Sequence, residues 1–236
     1  MGQICRPFVI PERVATAIPL TVTVRKPRLV FMAATKVVLI VQHGEKEPFA
    51  GDPGLTYKGR QQAASAGRWI SEQFRVDALW SSPHRRAVET ASEIARWVGR
   101  PVRRDERLRE RMNWAGPVIQ SIQEFLAEWD RSSTDRSYVP QDGDSSSAAA
   151  ERFLAALDEM RSTGSVTVVV AHGGVTVDAL RTILGDETLL SKRPELISDG
   201  VPSGAISQLV WRNPNWEPKV IVATGHLPAA TPKEPR

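Results

Sequence analysis

Two apolar runs in this chain, "VVLIV" at 37–41 and "VTVVVA" at 166–171, both lead into a His-Gly pair, His43-Gly44 and His172-Gly173. Runs of that length, rich in β-branched residues and closed by glycine, read as strands buried on both faces, the central strands of an open α/β sheet. The residue after such a strand stands at the C-terminal edge of the sheet, where α/β proteins bind ligands. If the two strands are neighbours, the imidazoles converge. A single histidine at a strand end is commonly a hydrogen-bonded turn residue, and the repetition is what argues for more.

The rest of the chain supplies the helices such a sheet needs. Thr56 can cap a helix with Ala63, Gly67, Ile70 and Phe74 on one face. The short strand "DALWSS" feeds a helix with Ala87, Ala91, Ile94 and Val98 on its stripe. "RPVRRDERL" gives a short strand and a charged loop, and Ile119, Ile122, Phe125, Leu126 and Trp129 recur at helical spacing. The serines of "DGDSSS" are candidate caps for a helix marked by Phe153, Leu154, Leu157 and Met160. Leu180, Ile183 and Leu184 mark another after His172, and "AISQLVW" and "KVIVAT" complete the sheet. The alternation predicts a three-layer α/β/α domain with a mostly parallel sheet and helices on both faces, spanning residues 36–227.

Residues 1–35, interrupted by Pro7, Pro11, Pro19 and Pro27, read as a poorly ordered extension, and 228–236 as a disordered tail. Met32 could equally be the initiator. The basic cluster Arg25–Arg28 follows the apolar stretch "VATAIPLTVTV" rather than preceding it, unlike a secretory signal. The formal net charge of +4 is confined to this extension: five of the 31 basic residues and one of the 27 acidic ones lie in positions 1–35, leaving 26 of each for the remainder. A balanced body does not read as a nucleic-acid binder. No apolar stretch is long enough for a membrane span. The lone Cys5 precludes an internal disulfide and fits a reducing, cytoplasmic compartment.

"SSPHRRAVETA", Ser81 to Ala91, places Pro83 for a helix's first turn with Ser82 as its cap, so that Arg85, Arg86 and the helix N-terminus form an anion site at the same sheet edge. An exposed basic first turn is the bland alternative.

Taken in order, these segments resemble the histidine phosphatase superfamily, the phosphoglycerate mutase-like fold, from Lys36 to Leu227. The family's Arg-His-Gly strand end is matched by "QHG" at 42–44, its "LT..G..QA" by Leu55-Thr56, Gly59 and Gln62-Ala63, its "SSP..RA..TA" by Ser81 to Ala91, and its "HGG" by His172 to Gly174. The resemblance implies a phosphomonoesterase acting on a small phosphorylated substrate through a phosphohistidine, with no metal or other cofactor. His43 is then the nucleophile, Glu110 of "LRERMNWAG" the proton donor and acceptor, and His172 a catalytic and phosphate-binding group beside Arg86 and Gln42. The donor role requires that Glu110 begin protonated, an expectation that Arg109 and Arg111 oppose.

Gln42 departs from the pattern. An arginine there would bring a permanent charge and a planar fork, whereas the amide brings two neutral donors. Losing one charged hydrogen bond, worth about 1.5–3 kcal/mol, slows turnover by roughly one to two orders of magnitude. Lys46, Arg85 or Arg111 could restore the charge. Three alternatives stand beside the phosphatase: a weakly active or inactive homologue that binds a phosphorylated ligand, a phosphomutase, and a metal hydrolase. Mutases of this fold carry extra sequence after the acid motif, where this chain has an amphipathic helix. His43, His84, His172 and His226 include no zincin-type spacing, and His226 reads as structural. The "RRDERLRER" run is most simply a solvated loop and the seven tryptophans packing residues. Substrate identity and oligomeric state stay open.

Overall fold

The computed structural model describes residues 35–116, 119–198 and 200–228. The expected extension and tail therefore fall outside the described residues except for Thr35 and Pro228, and so do Cys5 and Met32.

Strand β1 (Val37–Gln42) is followed by α1 (Tyr57–Gln73), β2 (Ala78–Ser81), α2 (Arg85–Val98) and β3 (Val102–Arg104). A 3-10 turn at Glu106–Leu108 leads towards α3 (Ile122–Thr134) and α4 (Ser146–Met160). Then come β4 (Val166–Ala171), α5 (Gly173–Leu184), two short helices at Asp186–Lys192 and Glu195–Ser198, β5 (Ile206–Arg212) and β6 (Asn215–Ala223). The six strands lie in the order β3-β2-β4-β1-β5-β6; β3, β2, β4 and β1 are mutually parallel, while β5 and β6 run antiparallel at one edge.

The period-2 alternation of β1 builds both halves of the core. Val38 and Ile40 pack with Phe153 and Leu157 of α4 and Val175 and Leu180 of α5. Leu39 and Val41 point the other way, into Ala66 and Ile70 of α1 and Ala87, Ala91 and Ile94 of α2. Val169 and Ala171 of β4 join the first cluster, Val168 and Val170 the second. Burial on both faces explains why these strands lack polar alternation. The result is the α/β/α layering that the sequence predicts.

Local signals set the helix starts. Thr56 accepts from the Gly59 amide at 2.9 Å and Ser145 from the Ala148 amide at 3.2 Å, each removing an orphan donor of the first turn. Ser121 and Glu124 complete a reciprocal capping box on α3.

Two expectations are corrected. Helix α2 begins at Arg85 with His84 as its N-cap and no capping side chain, so Pro83 and Ser82 lie ahead of the helix. Ile119 lies in a turn before α3 rather than on it. The α3 stripe does not enter the core: Ile122 and Leu126 stay exposed, and the only buried residue of the helix is Ser132.

Candidate active site

The register of β1 on β4 pairs Gln42 with Ala171, so the next residue of each strand is a histidine at the same level of the sheet edge. The His43 amide donates to Ala171 O at 3.1 Å, and the His43 and His172 rings meet edge to face with centroids 5.2 Å apart. The expected convergence is a direct product of strand pairing. His43 O is held in turn by the Gly204 amide at 3.1 Å, and His226 supports that loop by bonding Gly204 O at 3.0 Å.

His43 is buried, and its Nδ1 lies 2.8 Å from Gly44 O. A carbonyl can only accept, so Nδ1 carries the proton and Nε2 presents a lone pair. Two donors face that lone pair: Arg86 Nε at 3.2 Å and Gln42 Nε2 at 3.3 Å. This tautomer also fixes the Gln42 amide, because the flipped orientation would set oxygen against the lone pair. Burial, and then the Arg86 charge, lower the His43 pKa to about 3, so the ring is neutral near pH 7.

His172 is fully buried and its pKa is lowered by the same burial, with Arg86, His43 and His84 adding to the effect. Its Nε2 lies 2.7 Å from Ser82 Oγ, while Nδ1 has no partner among the described residues. Ser82 Oγ also accepts a long bond, 3.4 Å, from the His84 amide, and its hydroxyl can either donate to Nε2 or accept from it. Ser82, expected as a helix cap, is instead a neighbour of the second histidine.

Of the two arginines expected to converge, only Arg86 does so. Arg85 turns outward to Glu89 at 2.7 Å. The Arg85 amide at the start of α2 is bonded by the Asp52 carboxylate at 2.8 and 3.0 Å; the same side chain stands 3.5 Å from His84 Nδ1 and 3.8 Å from Arg86 Nη1. The anion position at this helix start is already filled by Asp52.

Glu110 sits at the other helix start. Its oxygens accept from the amides of Gly174 at 2.9 Å, Val175 at 2.8 Å and Arg111 at 2.9 Å, so the carboxyl docks on the N-terminus of α5, directly after His172. Gly174 makes this approach possible: a Cβ there would lie 2.7 Å from Glu110 Oε1 and 2.6 Å from the Trp129 ring. Gly44 has a similar role, since its Cβ would come within 2.3 Å of Gly59 O. The arginines beside Glu110 are taken up elsewhere. Arg109 pairs with Asp144 at 2.8 Å, and buried Arg111 pairs with Asp178 at 3.0 Å while its guanidinium lies over Trp129 at 4.0 Å.

Arg152 of α4 holds this acid loop from behind. It donates to Arg107 O at 2.7 Å, Arg109 O at 2.8 Å and Glu110 O at 3.1 Å, and pairs with Asp144 at 2.7 Å. Nothing in the local sequence marked Arg152, because the three carbonyls it holds lie more than 40 residues away.

Three cavities meet at Glu110. One of about 260 Å³ lies against Gln42, Gly173 and Val201; one of about 440 Å³ is bordered by Asp52, His84 and Asp142; one of about 220 Å³ is shared with Arg86 and Lys46. Of the three cations expected as substitutes for a charge at position 42, Lys46 is therefore the one near Arg86 that pairs with no carboxylate among the described residues. Partial burial and Arg86 both lower its pKa.

The family model of the histidine phosphatase superfamily (branch 1) matches residues 38–224. The chain is 27% identical over 223 residues to glucosyl-3-phosphoglycerate phosphatase of Mycolicibacterium vanbaalenii, covering 80% of this chain and 98% of that one. It is 33% identical over 153 residues to phosphoglycerate mutase-like protein 4 of Arabidopsis thaliana, covering 58% of this chain and 66% of the plant protein. Among solved structures, mycobacterial hydrolase 1 matches with a TM-score of 0.67 at 22% identity, over 81% of this chain and 100% of that one. Native mycobacterial glucosyl-3-phosphoglycerate phosphatase matches with a TM-score of 0.62 at 24% identity, over 80% and 100%. At these identities the structural likeness shows the fold.

Proposed function

The chain belongs to the histidine phosphatase superfamily, branch 1, and on that premise we propose that it hydrolyses phosphomonoesters through a phosphohistidine on His43, without a metal ion, in a catalytic domain spanning residues 36–227. The observation that carries this reading is the state of His43: neutral, its proton held on Nδ1 by Gly44 O, and its Nε2 lone pair directed at two phosphate-type donors. Relatives named as phosphatases, acting on glucosyl-3-phosphoglycerate and on phosphoserine, support the reaction class.

In the first half-reaction the Nε2 lone pair attacks phosphorus, and the ester oxygen leaves with the bonding pair and takes a proton from Glu110. In the second, water attacks the phosphohistidine, Glu110 takes its proton, and His43 leaves with the P–N pair to release inorganic phosphate. Arg86, released from the His43 lone pair by the incoming phosphoryl group, donates to its oxygens, and Gln42 follows from the other side. His172, edge to face with His43, is a further phosphate-binding group.

Gln42 also favours a second reading, a homologue that binds a phosphorylated ligand without turning it over. Incubation with a ³²P-labelled generic aryl phosphate in the presence of EDTA separates the two. Acid-labile label on the wild-type protein but not on His43→Ala, together with release of inorganic phosphate, is expected. Saturable binding with no label at all would favour the second reading, and label with an isomerised product in place of free phosphate would mean a mutase.

A further inference from the structure

The cavity that Glu110 shares with Lys46 and Arg86 is lined by two chemically different sets of side chains. Lys46 and Arg86 form one, close enough for the Arg86 charge to add to burial in lowering the Lys46 pKa. Two cations that repel each other when the site is empty suit a phosphoryl dianion. The rest of the wall is apolar and largely aromatic: Phe49, Met112, Trp114, Ile122, Phe125 and Trp129.

Trp114, Phe125 and Trp129 are held in place. The Trp114 indole donates to Gln120 O at 2.9 Å, Asn113 Nδ2 donates to Gly51 O at 2.8 Å, and the Gly51 amide donates to Trp114 O at 2.8 Å, tying the two loops together. Trp129 is held under the Arg111 guanidinium, and Phe125 lies 6.1 Å from it. Yet Phe49 is 66% exposed and Ile122 38%. Large apolar groups left open to water beside a charged pocket mark a ligand groove.

On the phosphomonoesterase reading the departing oxygen of a phosphomonoester lies between the phosphoryl group and Glu110, and this cavity opens there to receive the group attached to it. We infer that the site selects phosphomonoesters of apolar alcohols, alkyl or aryl, over those whose leaving group carries a carboxylate. This inference rests on the phosphomonoesterase reading and names its substrate class. Among the described residues no cation beyond Lys46 and Arg86 lines this cavity, and apart from the two indoles Asn113 is its only neutral polar side chain. The neighbouring cavity across Glu110 presents the carboxylates of Asp52 and Asp142, while its Arg109 and Arg111 are already paired with Asp144 and Asp178. A carboxylate next to the phosphate would therefore meet an apolar wall in this cavity and like charge in the neighbouring one.

Alkylphosphonates test the inference independently of turnover, because their C–P bond is not hydrolysed. Titration of the full chain with the ethyl to hexyl series, read by the fluorescence of Trp114 and Trp129, should give affinity rising about two- to fourfold per methylene. In Phe49→Ala/Ile122→Ala, which alters only side chains that water already reaches, the slope should fall by about half. 3-Phosphonopropionate should bind about tenfold more weakly than propylphosphonate. A flat series, tighter binding of the carboxylated compound, or an unchanged slope in the double variant would overturn the inference. Phosphate release from hexyl phosphate is scored separately. A slope without release would leave the ligand class standing while removing the phosphatase reading, and release with a flat series would do the reverse.

Discussion

Ser82 Oγ lies 2.7 Å from His172 Nε2, joining the strand end of β2 to that of β4 across 90 residues of chain. The hydroxyl is buried and holds the His172 ring through that nitrogen. Ser82 is therefore a positioning residue for the second histidine. Ser82→Ala is expected to lower kcat/KM about tenfold or more, the equivalent of one buried hydrogen bond, while leaving phosphohistidine formation detectable. Steady-state kinetics beside ¹⁵N NMR of the His172 ring checks this; an unchanged tautomer with unchanged kinetics would remove Ser82 from the site.

His43 gives a pH signature with a definite sign. The unfolded ring takes up a proton near 6.5 and the folded one only near 3, so between those values the unfolded chain binds more protons. Stability of the empty protein therefore rises with pH across this window and is lost as pH falls through it. Buried His172, lowered in the same direction, adds to the effect. The melting temperature should be lower at pH 5 than at pH 7.5, and the drop should be smaller in His43→Gln. The nucleophile itself stays unprotonated at pH 5, so kcat/KM should show no acid limb near 6.5 arising from His43.

Gln42 borders a cavity of about 260 Å³, which gives a longer side chain room to lie beside Gly173. Gln42→Arg is expected to raise kcat by about one to two orders of magnitude through one charged hydrogen bond to the transferring group. No gain in the single variant, with activity lost in Lys46→Met, would mean that Lys46 already supplies the missing charge.

Arg152 organises the acid loop through three carbonyls and Asp144. Arg152→Ala takes its guanidinium away from the three carbonyls and leaves Asp144 with Arg109 alone, and is expected to cost about 3 kcal/mol or more, readable as a lower denaturant midpoint. Arg152→Lys, which keeps the charge but loses the planar fork, should recover part of the stability and less of the activity. Equal loss of both in the two variants would argue for charge alone.

How much of this was legible depended on the range over which each residue acts. Strand and helix order followed from local periodicity, and His43, Gln42, Arg86, Glu110 and His172 stood out because each lies in a short ordered motif. Local signals misassigned Ser82 and Pro83, since a serine three residues before a helix looks the same whether it caps the helix or meets a histidine 90 residues away. The α3 stripe was legible as amphipathic, but not as facing a cavity instead of the core.

The sequence by itself determined the layers, the two strand ends and the kinds of groups gathered there, because β-sheet burial and helix capping are encoded within a few residues. The tertiary structure alone decided which strands are neighbours, through the Gln42–Ala171 register, and which nitrogen of His43 is free, through Gly44 O. It also decided that Asp52 and Glu110 occupy the two helix starts and that Arg109 and Arg111 turn to other carboxylates. The physical reason is that a side chain's charge and hydrogen-bonding capacity are written at its own position, whereas the partner that satisfies them is chosen by distance in space.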